Sequence, residues 1–210
     1  MRRRMLAVLM LGLMVGLTVL PATASAAEVE RQSFQGLTAT ADMNASDGVY
    51  YSYLYVNVNQ PKRGPAAVYI SYAEYDTEYP WDDYFVDTVV ELPDGTFQID
   101  RDLGSATLAF DQEVTGEHRT CDDDGCYWEE ATFQLTFDIT WTGYGDMTRR
   151  VSTTQEWGPE GKIQQRVNGT YRYADVAGSW WGVMTGGESE FGYAYGQLSD
   201  VKAGQLIVWK

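Results

Sequence analysis

Basic residues, histidine and cysteine are scarce in this 210-residue chain, and each scarcity removes a class of function. Lysine and arginine total 15 against 30 aspartates and glutamates, a formal net charge of −15. A surface of that sign repels phosphate backbones and anionic lipid headgroups, which argues against nucleic-acid binding and against membrane attachment through basic patches. The single histidine, His118, cannot supply a site built on two imidazoles, so no transition-metal centre is expected. No Gly-x-Ser-x-Gly elbow accompanies it, and neither a glycine-rich phosphate cradle nor a dinucleotide fingerprint occurs. The acidic runs at Asp122, Asp123 and Asp124, at Asp82 and Asp83, and at Asp100 and Asp102 lack the offsets of an EF-hand loop, and read as solvated turns. No cofactor and no metal is expected, and no enzymatic activity.

Long apolar runs are equally rare. One stands at the start, Met5 to Leu20, preceded by Arg2, Arg3 and Arg4 and followed by Pro21 and the small residues Ala24-Ser25-Ala26. This is the layout of a cleaved export signal, and the run is shorter than the roughly twenty residues that span a bilayer. Residues 1–26 are therefore expected to be removed, leaving one domain over residues 27–210, secreted or periplasmic. The segment left behind holds twelve basic and thirty acidic residues, a net charge of −18.

Only two cysteines are present, Cys121 and Cys126, with Asp122-Asp123-Asp124-Gly125 between them. Four intervening residues exclude a redox C-x-x-C motif, whereas an oxidising compartment and an Asp-Gly turn favour a disulfide across a hairpin. Strong period-two patterning flanks that turn. Ala131, Phe133, Leu135, Phe137, Ile139 and Trp141 share one face, with Thr132, Gln134, Thr136, Asp138 and Thr140 on the other. Ahead of the turn, Ala106, Leu108, Phe110 and Val114 face inward, with Gln112 interrupting them.

Further strands are expected at 34–41, 49–59, 66–75, 84–92, 96–100, 148–157, 163–173, 191–197 and 205–209. Turn chemistry separates many of them, as at Pro93-Asp94-Gly95, Gly143-Tyr144-Gly145-Asp146 and Gly158-Pro159-Glu160-Gly161. Short connections imply hairpins and a meander, because parallel strands need long crossovers. The fold class is all-β, an antiparallel barrel or two-sheet sandwich of about 8–11 strands.

Ser105-Ala106-Thr107-Leu108, the cysteine hairpin, Ile139-Thr140-Trp141-Thr142-Gly143, Thr148-Arg149 and Val201-Lys202-Ala203-Gly204 together resemble a family of short secreted bacterial β proteins of uncharacterised function. The resemblance covers the C-terminal half. It implies secretion and an all-β fold, and implies no activity.

Aromatic residues carry the functional reading. On 49–59 the even positions Tyr50, Leu54, Val56 and Val58 make a core face, while Tyr51, Tyr53 and Tyr55 line the opposite one. Tyr69 and Tyr75 do the same on the next strand, and Trp81 lies in the following loop. Tyr51, Tyr53, Tyr55, Tyr69 and Trp81 are thus candidate contacts for an extracellular glycan or protein, since rings with polar tips suit stacking on sugars and docking. The plainer reading of the same pattern is cross-strand pairing that only stabilises the sheet. Phe191, Tyr193 and Tyr195, opposed by Gly192, Ala194 and Gly196, read as structural. Of the neighbours Trp180 and Trp181, one must leave the core. Two alternatives to a binding domain stand beside it: an outer-membrane β-barrel, and a glycoside hydrolase using a carboxylate pair.

Overall fold

Alternating apolar and polar residues commit this chain to strands, and the order of pairing decides what those strands enclose. The computed structural model describes residues 29–46, 49–76, 82–122, 125–158, 161–183, 188–190 and 192–209. The export segment, Trp81, Asp123, Asp124 and Phe191 lie outside the described residues. Ten strands follow one another: β1 (Val29–Ser46), β2 (Tyr50–Pro61), β3 (Ala67–Asp76), β4 (Asp82–Glu91), β5 (Phe97–Ile99), β6 (Ser105–Asp122), β7 (Gly125–Gly158), β8 (Gly161–Trp181), β9 (Glu188–Glu190) and β10 (Tyr193–Trp209). No helix occurs among the described residues.

Neighbours run β10-β1-β2-β3-β4-β6-β7-β8, and β8 pairs back onto β10. Every pairing is antiparallel, so the sheet closes into a ring of eight strands. Of the two architectures compatible with the sequence pattern, this is the barrel. At that size the interior is filled by side chains rather than by a channel. The ring is thinnest between β4 and β6, which pair only over Asp82–Phe85 and Glu117–Thr120. Below that contact β5 takes over, laying Phe97–Ile99 along Ala106–Leu108.

Inward positions are those the period-two pattern marks. Met43, Leu54, Ile70, Val86, Leu108, Phe110, Phe137, Ile139 and Trp141 are all buried. Phe110 and Phe137 stack at 4.7 Å between ring centroids, a directly opposed cross-strand pair. Trp141 crosses toward the opposite wall, where its indole Nε1 donates to the Thr40 carbonyl at 2.8 Å. Gly196 makes room for it: a Cβ there would lie 2.4 Å from Val176 and 2.8 Å from Trp141. Trp180 is buried and Trp181 is 52% exposed, as neighbours on one strand require.

Cys121 and Cys126 are bonded, directly opposite each other at the tip of the β6–β7 hairpin. Beside this end the interior turns polar. The Tyr72 hydroxyl donates to Glu74 Oε2 at 2.7 Å, with both side chains buried, and accepts from the Val183 amide at 3.4 Å. Burial and the Glu74 carboxylate raise the Tyr72 phenol above its ordinary range.

Two expected breaks are absent. Gly143 to Asp146 does not end a strand, because β7 continues through it as an irregularity between Tyr144 and Thr148. Gly145 takes φ 69° there, and Arg172 Nε donates to its carbonyl at 3.0 Å, so the kink is held without being a turn. The two C-terminal segments expected apart are likewise one strand, β10, with a shift between Val201 and Ala203. Past these bulges the strands outrun the barrel. Thr148–Gly158 of β7, Gly161–Tyr171 of β8, Ala203–Trp209 of β10 and Val29–Phe34 of β1 form a four-stranded extension, roughly 35 Å long on the β7 side at 3.3 Å per residue.

Candidate functional site

Outward positions of the barrel carry an unusual number of tyrosines, placed there by the same alternation that fills the core. On β2 and β3, Tyr51, Tyr53, Tyr55 and Tyr69 all face out, as the sequence pattern requires. They are packed side by side rather than standing free. Tyr51 stacks on Tyr75 at 5.1 Å, Tyr55 meets Tyr69 edge-on at 6.0 Å, and Tyr69 is only 3% exposed. The Tyr53 hydroxyl donates to Asp42 Oδ2 at 3.3 Å. Burial first and the Asp42 carboxylate second push the Tyr53 phenol up to about 12. Burial raises Tyr55 and Tyr69 in the same direction, with Asp42 and Asp87 adding to it respectively.

A second tyrosine group, on β7, β8 and β10, is far more open. Tyr144, Tyr173, Tyr193 and Tyr195 are 47%, 43%, 60% and 42% exposed. Tyr173 sits at the centre, with ring centroids 6.3 Å from Tyr144, 5.4 Å from Tyr171 and 6.1 Å from Tyr195. The stripe at Tyr193 and Tyr195 is therefore surface on one side, while Ala194 and Gly196 behind it face the packed interior. β1 joins the two groups: Asp42 lies opposite Tyr195 on one side and Tyr55 on the other, and Asn44 lies likewise between Tyr193 and Tyr53. The result is one aromatic belt around the outer wall.

Below the open tyrosines, where barrel meets extension, lies a groove of about 140 Å³. Thr38, Thr40, Asn57 and Asn59 form one side of it, and Arg150, Gln165 and Tyr171 the other. Gln197, Ser199 and Val201 lie between them. At about 30 Å³ per water the space equals four to five waters, comparable to the ~150 Å³ that admits a six-membered ring. Amide and hydroxyl side chains share the lining with Val167, Val201 and the Arg150 guanidinium, while Asp200, paired with Thr170, turns its carboxylate to the opposite side of the sheet.

At the disulfide end of the belt, Arg119 pairs with the buried Asp83 and lies 5.5 Å over the Trp128 ring. Phe85 packs 5.4 Å from the same tryptophan. His118 stacks flat on Tyr84 at 4.4 Å, with its Nδ1 3.5 Å from Glu129 Oε1. No group of three or more His, Cys, Asp or Glu residues that could hold a metal occurs among the described residues.

Sequence reasoning found the β2–β3 half of the belt and missed the half that water reaches. Tyr144 was hidden in an apparent turn, and Tyr171 and Tyr173 at the end of a strand whose expected hairpin partner, 148–157, carries no tyrosine. Tyrosines repeating at i and i+2, as in Tyr171-Arg172-Tyr173 and Tyr193-Ala194-Tyr195, were the available signal. The register that sets them beside each other was not. No protein-family model, no curated protein and no solved structure matches this chain.

Proposed function

We propose that this protein is an exported, non-enzymatic β-barrel that binds an extracellular saccharide through its aromatic outer wall. The observation that carries the reading is the cluster of exposed tyrosines around Tyr173 opening onto a groove of amides and hydroxyls. Phenol rings stack on the apolar faces of sugars while their hydroxyls bond at the rim, and side-chain amides match neighbouring sugar hydroxyls with both donor and acceptor.

Two features weigh against the alternatives. An outer-membrane barrel has a polar interior and an apolar outer band, whereas here the interior is packed with Phe, Leu, Val and Trp, and β6 and β7 turn Asp111, Glu113, Thr136 and Asp138 outward. Glycoside cleavage takes two carboxylates flanking the bond, and Asp200 is the single acidic residue among those lining the groove.

Binding to a panel of immobilised polysaccharides tests the proposal. Tyr173→Ala and Tyr195→Ala are each expected to weaken retention about 2- to 10-fold, in line with ~0.5–1.5 kcal/mol per aromatic contact. Tyr53→Ala compares the β2–β3 half of the belt, and Trp81→Ala the remaining contact that the sequence singled out. Retention unchanged in all four variants would remove the belt as the binding surface.

A further inference from the structure

Net charge conceals a basic face on the extension. In the cross-strand register of β7, β8, β10 and β1, one side carries Arg149, Arg166, Lys162 and Arg31. Arg31, Arg149 and Arg166 are exposed, and Lys162 is half-buried. On that side Asp200 stands in register with Arg149, two strands away, where Lys202 approaches it at 3.8 Å. Four cations therefore share one side of a sheet in a chain that carries twice as many acids as bases.

The spacing of these charges identifies the ligand chemistry. Arg149 and Arg166 sit four residues and one strand apart, roughly 14 Å between Cα atoms from strand rise and spacing. Phosphates along one nucleic-acid strand recur every ~3.4 Å, and proteins that track them carry a correspondingly dense row of cations. Here the positions between the cations hold Thr153, Gln155, Gln164, Asn168 and Gln205, donors and acceptors for hydroxyls, together with the apolar Val151 and Ile207. The face offers sparse positive charge among amides, a hydroxyl and two aliphatic side chains.

Its boundary is open as well. Thr148–Gly158 of β7 pairs only with β8 among the described residues, so its other edge meets no strand, and Val151 on it is 67% exposed. Arg150, next to Arg149 on the opposite side of the sheet, lines the groove. A chain leaving the groove thus meets Arg150, crosses an edge that pairs with no strand among the described residues, and reaches Arg149 and Arg166.

We propose that the saccharide is acidic: a polyuronate, whose carboxylates pair with Arg149, Arg166 and Arg31 while its hydroxyls bond to the intervening amides. This rests on the saccharide reading of the groove and names its substrate class. Calorimetric titration of the whole protein with oligogalacturonate, with the methyl ester of the same oligomer, and with a DNA duplex separates the outcomes. The acid is expected to bind at least about tenfold more tightly than the ester, and raising salt from about 50 to about 200 mM should weaken it on the order of tenfold through screening. The double variant R149E/R166E should lose the acid preference while still binding the ester, and Tyr173→Ala should weaken both. Equal binding of acid and ester, unchanged in R149E/R166E, would overturn the acidic assignment and leave the saccharide reading standing. Binding of neither oligomer would overturn both. Tighter binding of the duplex than of the acid would assign the face to nucleic acid instead.

Discussion

β7 runs through both parts of the molecule, and the two stretches behave differently. From Phe133 to Trp141 its residues alternate strictly between buried and exposed; from Thr148 to Gln155 nearly every residue is exposed on both sides. The backbone is an extended ribbon in both, paired with β8 from Thr136 to Tyr144 and again from Thr148 to Gly158. What differs is enclosure. In the barrel one side of the strand faces seven others around a packed centre, while in the extension the same strand pairs with β8 alone among the described residues. Hydrophobic stabilisation should therefore concentrate in the ring, and tolerance of substitution in the extension.

The largest effect should come from emptying the ring. Trp141→Ala removes a fully buried indole and its bond to Thr40, and is expected to cost about 3–5 kcal/mol, read as a lowered denaturant midpoint. A loss below ~1 kcal/mol would mean that the interior is not close-packed. Next is the hairpin tip: replacing Cys121 and Cys126 together by serine should cost about 2 kcal/mol, because the closed loop is short. Wild-type protein under reductant should show the same shift.

Alkaline pH probes the aromatic belt. With its pKa raised from 10.0 to about 12, Tyr53 stays neutral in the folded state after the unfolded chain has ionised. Its contribution is thus intact below about pH 10 and is lost as pH rises through about 12. Tyr55, Tyr69 and Tyr72 are shifted the same way, so chemical unfolding should become progressively easier across that window. Tyr53→Phe should flatten the slope, and an unchanged slope would show that this residue does not contribute. The smallest effect is expected in the extension: Val151→Thr, at a position open on its free side, should change stability by no more than ~0.5 kcal/mol. Amides of Thr148–Gln155 should also exchange faster than those of Phe133–Trp141.

Individual segments explain how much the sequence disclosed. Gly-Tyr-Gly-Asp at 143–146 has the composition of a turn, yet Arg172 binds the Gly145 carbonyl and β8 supplies a ladder on both sides, so tertiary pairing overrides the local signal. Tyr193 and Tyr195 have small residues behind them, which correctly announces close packing, but not that Trp141 is what packs there. For the candidate site, Tyr51, Tyr53 and Tyr55 were legible because alternation alone assigns their side of the sheet. Asn57, Gln165 and Gln197 were not, because a groove assembled from five strands exists only once those strands are neighbours. The basic face was hidden for a related reason: formal charge sums over the chain and carries no information about position.

By itself the sequence determined strand content, the inward residues of the longest hairpin and the partner of each cysteine, since period-two patterning and a six-residue loop are local properties. Tertiary structure alone decided that the sheet closes, that its wall is belted with tyrosine, and that four cations converge on an otherwise acidic protein's extension. Those features depend on which strands lie side by side and in what register, and long-range pairing of that kind leaves no mark within the span of one strand.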